Sequence, residues 1–124
     1  MRKETRRICQ AFLDGYSARG ARTWTNGEEL FLHGYRIAYF SRERLTMSMT
    51  LAGWPTKTTR DRLNGLCELV IWVRPFSQMK NHQYFRDKEI ESDEIITISL
   101  PTTYQTNTKE PKFRENKIGQ LELI

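Results

Sequence analysis

An α+β fold is predicted for this chain: an N-terminal amphipathic helix packed on a twisted antiparallel sheet, with a short second helix between two strand groups and an irregular C-terminal segment. Three observations predict it. Apolar residues recur at helical spacing near the start, alternate at period two through the middle, and are punctuated by tight-turn dipeptides. At 124 residues and 38% hydrophobic content, the chain can bury one modest core. Residues 1–100 are assigned to a single α+β domain and residues 101–124 to a polar C-terminal extension.

The first helix is expected over residues 3–18. Ile8, Cys9, Phe12, Leu13 and Tyr16 fall on one face, with Arg2, Lys3, Arg6, Arg7, Gln10 and Asp14 mostly outside it. Gly20 supplies a stop. Strands follow at Ala21–Thr25 and Glu28–Leu32, joined by Asn26-Gly27, a two-residue hairpin signal whose turn wants positive φ at both positions. His33-Gly34 is a second tight turn, and Arg36–Phe40 the third strand. In Leu45–Leu51, the fourth, Leu45, Met47, Met49 and Leu51 point one way while Thr46, Ser48 and Thr50 point the other. One face of that sheet is therefore covered, and the first helix is the natural cover.

After Trp54-Pro55 a short helix is expected from Thr58 or Thr59, with Thr58 and Asp61 as a capping box and Gly65 as the stop. Leu66–Arg74 then reads as a strand. Cys67, Leu69, Ile71 and Val73 lie on one side, and Glu68, Val70, Trp72 and Arg74 on the other. Ser77–His82 reads as a polar loop, Gln83–Ile90 and Ile95–Leu100 as strands. The segment after Pro101 is polar, with a possible edge strand at Leu121–Ile124.

Charge is unevenly spread. The net charge is +5, yet residues 1–25 hold six Lys/Arg against two Asp/Glu, residues 57–88 hold seven against three, and residues 89–94 carry four acids. Two basic blocks on one face would attract nucleic acid, nucleotides or an acidic protein; the alternative is a plain solvated surface. Cys9 and Cys67 are far apart, lack zinc-ligand spacing and read as small buried hydrophobes. No apolar run reaches the roughly 18 residues of a membrane span, and no apolar segment follows the basic start, so a cytoplasmic location is expected.

Three kinds of chemistry compete. The start of the second helix could bind an anion or an acidic partner, with Lys57, Arg60 and Arg62 supplying charge and Thr56, Thr58 and Thr59 hydroxyls beside open amides. Against this, Thr58 could simply cap the helix. Trp72 with Arg74, and Tyr84 with Arg86, could form an aromatic–cation platform for single-stranded nucleic acid, or Trp72 could pack under the C-terminal segment. His33 and His82 could serve acid–base cleavage of RNA, but no spacing requires them to meet. No nucleophile elbow, phosphate loop, zinc helix or dinucleotide fingerprint is present, so a non-enzymatic protein without metal or cofactor is expected.

The segments Leu30-Phe31-Leu32-His33-Gly34-Tyr35-Arg36-Ile37-Ala38 and Ala52-Gly53-Trp54-Pro55-Thr56-Lys57-Thr58-Thr59-Arg60-Asp61-Arg62-Leu63-Asn64-Gly65-Leu66 resemble a recurring pattern in small accessory proteins of tailed bacteriophages. Ala21-Arg22-Thr23-Trp24-Thr25 resembles the strand that follows the short first helix of those proteins. The resemblance covers about residues 5–70; after Leu69 the chain departs from the shorter pattern. It implies a phage gene outside the replication and capsid core. Such proteins often bind a host factor, as inhibitors of CRISPR effectors and of nucleotide-signalling defence do. The partner it implies is a bacterial host or defence protein, its nucleic acid, or a signalling nucleotide.

Overall fold

A computed structural model describes residues 3–100 and has the expected α+β architecture. The polar extension at 101–124, including the edge strand expected at Leu121–Ile124, lies outside the described residues. The first helix, α1, spans Lys3–Asp14 and buries Ile8, Cys9, Phe12 and Leu13 as its spacing requires. It stops at Gly15 rather than running on to residue 18 and Gly20. Gly15 takes φ +84°, the Tyr16 amide donates to Ala11 at 2.8 Å, and the Gly15 amide donates to Phe12 at 3.3 Å. That pair is a left-handed helix cap. Tyr16 therefore leaves the apolar stripe and is 42% exposed. Beyond the cap, β1 (Ser17–Arg19) begins the sheet, a strand the long-helix expectation had absorbed.

The sheet continues through β2 (Thr23–Asn26), β3 (Glu29–Leu32), β4 (Tyr35–Ser41) and β5 (Thr46–Met49), each antiparallel to the last. A late strand, β9 (Ile96–Ser99), returns to pair with β5 and completes six strands. Met47, Met49 and Leu51 are buried on one phase, as their alternation predicts. His33 and Gly34 both take positive φ, the expected tight turn. The Asn26-Gly27 turn works differently from its signature. Only Gly27 has positive φ; Asn26 instead accepts the Glu28 and Glu29 amides on its Oδ1 at 2.9 and 2.8 Å. A bulge between β3 and β4 leaves both Ile37 and Ala38 buried.

The second helix, α2, runs over Lys57–Ile71, twice the expected length. Thr56, not Thr58, is its N-cap; its Oγ1 accepts the Thr59 amide at 3.2 Å. Gly65 does not stop it but lies buried inside it. Leu66–Arg74 is accordingly not a strand: Leu63, Leu66, Cys67 and Val70 form a buried stripe at helical spacing, and Trp72 ends the helix in the left-handed conformation, φ +60°. Tertiary burial outweighs the roughly 1 kcal/mol penalty of one helical glycine.

A separate three-stranded sheet follows: β6 (Phe76–Met79), β7 (His82–Phe85) and β8 (Lys88–Ile90). The expected polar loop at Ser77–His82 is a hairpin, because Lys80 and Asn81 both adopt positive φ. Gln83–Ile90 is two strands, broken where Arg86 turns at φ +58°. Asn64 ties this sheet to α2: its Nδ2 donates to the Phe76 carbonyl at 2.9 Å and its Oδ1 accepts the Phe76 amide at 2.8 Å. Both helices contribute to one core against the inner face of the large sheet, where Phe12 meets Phe40 edge-on with centroids 6.0 Å apart.

Candidate functional site

Helical geometry separates the residues expected to share an anion site. At 100° per residue, Arg60 and Arg62 point about 200° apart. Arg60 spends one Nη on the Pro55 carbonyl and the Gln78 and Gln83 amide oxygens, at 3.0, 3.1 and 3.0 Å. It is a strut from α2 to the small sheet. Thr59 is buried and shares a 3.0 Å hydroxyl–hydroxyl bond with Thr56. Lys57 is exposed at the first helical position. These residues therefore do not converge on one anion.

Thr58, Asp61 and Arg62 do share a face, at i, i+3 and i+4. With Arg22, Arg74 and Glu4 they line a cleft of about 800 Å³ beside the start of α1. Arg62 donates its Nε to Thr23 Oγ1 at 3.0 Å. Arg74 holds Glu68 at 2.8 Å and Asp61 at 3.9 Å, and Glu4 accepts the Ala21 amide at 2.8 Å. Three arginines facing two carboxylates make this a charge-mixed cleft.

The residues named for an aromatic–cation platform do not lie together on one strand. Trp72 is the exposed end of α2, 80% accessible, and Arg74 belongs to no strand. Tyr84 sits on β7 with Arg86 in the turn after it, where the Arg86 amide donates to Pro75 at 2.8 Å. That bond brings the chain next to Arg74 against the Arg86 turn.

A platform of the same chemistry lies on the outer face of the large sheet. Arg19 pairs with Trp24, Trp24 with Phe31, and Phe31 with Arg36, directly opposite one another across β1 to β4. The Trp24 and Phe31 rings stack with centroids 4.2 Å apart and planes 12° apart. Arg19 lies over Trp24 at 5.0 Å and Arg36 over Tyr39 at 4.3 Å. Arg36 also bridges to Glu29 at 3.0 Å. Bonds first from Asn26 and then from Arg36 hold the Glu29 carboxyl below its ordinary pKa. The core residues occupy the opposite face. The signal was present in the sequence: Thr23, Thr25, Leu30 and Leu32 take the inward phase, so Trp24 and Phe31 must point out.

The thiols and histidines make no common site. Burial pushes Cys9 and Cys67 up to about 12, opposed in part by Arg62 and Arg86 respectively. Such thiols are inert as nucleophiles at neutral pH. His82 contacts Glu89 at 2.7 Å on the small sheet, while His33 occupies the β3–β4 turn. Among the described residues, no three His, Cys, Asp or Glu side chains cluster to hold a metal, and no helix is long and apolar enough to cross a membrane.

The family model described as Kyanoviridae Gp96 protein matches residues 1–118. The match runs past Leu69 and through the acidic run, further than the resemblance read from residues 5–70. No curated protein and no solved structure matches the chain.

Proposed function

Because the chain belongs to the Kyanoviridae Gp96 protein family and is thus a bacteriophage protein, we propose that it is a non-enzymatic accessory factor that binds and inhibits a bacterial host or defence protein in the host cytoplasm. The observation that carries this reading is the outer sheet face of Arg19, Trp24, Phe31, Arg36 and Tyr39. Aromatic residues and arginine are the types that concentrate binding energy at protein interfaces. Here they form one patch on a rigid sheet, with ring stacking and cation–π contacts already in place, so little side-chain entropy is left to lose on association.

The test is co-purification from the bacterial host with the wild-type chain and with an Arg19→Glu/Arg36→Glu variant, followed by reconstitution with the purified partner. The expected outcome is a stoichiometric complex that inhibits the partner and is lost in the variant. Equal retention by the variant would remove this face as the contact surface. A second reading has its own support: stacked rings flanked by arginines also suit single-stranded nucleic acid. It requires binding of an oligonucleotide that falls steeply between roughly 50 and 200 mM salt. No anisotropy change at the lower salt eliminates it.

A further inference from the structure

A second pocket, of about 410 Å³, shares Thr58 with the arginine cleft but has a different character. Its volume is within the roughly 300–1,000 Å³ typical of small-molecule sites. Leu32, Ile37 and Leu51 line it and are no more than 3% exposed. Tyr35 and Trp54 also line it, yet they are 47% and 50% exposed, with ring centroids 5.5 Å apart and planes inclined by 49°. Two half-exposed aromatic rings thus stand as an open corner over an apolar base.

Two glycine turns hold that corner. His33-Gly34 carries Tyr35, and Ala52-Gly53 carries Trp54; all four turn residues have positive φ. The Trp54 amide donates to Leu51 at 2.9 Å, the Gly53 amide to Ser92 at 2.8 Å, and the Thr56 amide to Trp54 at 2.8 Å. The backbone beneath the rings is therefore set before any ligand arrives. The sequence segments Leu30–Ala38 and Ala52–Leu66, far apart in the chain, meet at this pocket.

Its chemistry selects a class of ligand. Among the described residues no acidic side chain lines it, so the aromatic corner is not set up as a cation cage. The Thr58 hydroxyl, the Trp54 indole N–H, the Tyr35 hydroxyl and the His33 ring supply donors and acceptors. We propose that this pocket binds a planar heteroaromatic ring, specifically the nucleobase of a nucleotide. The base stacks on the face of one of the two rings, the other, inclined by 49°, bounds it at its edge, and the polar groups read the rest of that edge. The site is independent of the outer sheet face, so the two stand or fall separately.

The test is titration calorimetry of the full chain with AMP, GMP, CMP and UMP. At least one should bind, and Trp54→Ala and Tyr35→Ala should each weaken it about tenfold or more, the size expected for a lost stacking partner. Both rings are half-exposed and sit on different turns, so if one variant fails to fold the other still decides; thermal melts verify folding. The proposal is overturned if none of the four nucleotides binds at millimolar concentration, if folded Trp54→Ala or Tyr35→Ala binds undiminished, or if inorganic phosphate alone displaces the nucleotide.

Discussion

Replacing Asn64 with Leu should be among the costliest single changes to this fold. Asn64 is 7% exposed and Phe76 is 3% exposed, so the two hydrogen bonds between them are shielded from water. Among the described residues, β6 pairs with β7 alone. The Pro75 carbonyl accepts the Arg86 amide on that paired side, so the Phe76 amide and carbonyl face the other way. Asn64 stands in for a missing strand at that edge. Leucine keeps the side chain's bulk but leaves one donor and one acceptor buried without partners, at about 1–3 kcal/mol each. Apolar burial by the new side chain returns about 1 kcal/mol, for a net loss of about 3 kcal/mol. That is a large part of the roughly 5–15 kcal/mol that holds a domain of this size folded. With a urea m-value of about 1.5–2 kcal/mol/M, the unfolding midpoint should fall by about 1.5–2 M at unchanged slope. Hydrogen exchange at the Phe76 amide should accelerate beyond the global change. A midpoint shift under about 0.3 M, with Phe76 still protected, would refute the idea that Asn64 closes this edge.

Gly27→Ala should destabilise more than Gly53→Ala, although both sites have positive φ. A Cβ at Gly27 would lie 2.6 Å from the Gly15 carbonyl oxygen, whereas one at Gly53 meets nothing within 4 Å. Thermal melts should show about 1 kcal/mol lost at Gly53 and clearly more at Gly27, from strain plus backbone collision. Stability should also fall above pH 9. Cys9 and Cys67 keep their protons up to about 12 in the fold but release them near 9.0 when unfolded, so the native state binds more protons in that window. The slope is negative, worth about 1.4 kcal/mol per thiol at pH 10. Urea melts of wild type and a Cys9→Ala/Cys67→Ala variant at pH 8 and pH 10 check this; an identical pH dependence in both would show that the thiols contribute nothing.

Local chemistry made the large sheet legible and left the second half obscure. Alternation in Leu45–Leu51 and the His33-Gly34 turn announced β4 and β5 because each is specified within a few residues. In the stretch 57–74, Gly65 reads as a helix stop and Cys67, Leu69, Ile71 and Val73 then alternate as a strand, whereas the structure continues the helix and buries Leu63, Leu66, Cys67 and Val70. What decides the matter is burial of that helical stripe in the core shared with α1 and the large sheet, a tertiary effect that no local pattern reveals. The helix end at Gly15 was hidden similarly, since Tyr16 continues the apolar period but serves the cap. Arg60 and Arg62 part for a geometric reason legible in the sequence once the helix is set: residues two apart on a helix do not share a face.

The strongest internal reason to assign a binding role to the outer sheet is the phase of β2. Thr23 and Thr25 point inward, each 2% exposed, while Trp24 between them points out. Burial alone would favour the reverse, since Trp carries far more apolar surface than threonine. The inward hydroxyls need partners and find them: Thr23 accepts from Arg62, and Thr25 donates to the Glu29 carbonyl at 2.6 Å and accepts the Gly27 amide. The chain thus spends two core-facing positions on polar groups and leaves a large aromatic ring on the open face. If that placement serves the fold, Trp24→Ser should cost the roughly 3–5 kcal/mol of a core aromatic. If it serves binding, the loss is limited to the stack on Phe31 and a partly buried surface, about 2 kcal/mol or less, while the host-partner complex is lost. Measuring the unfolding midpoint and the complex in the same variant separates the two. A variant that keeps its complex while losing more than about 3 kcal/mol of stability would make Trp24 a folding residue and leave the outer face without its main anchor.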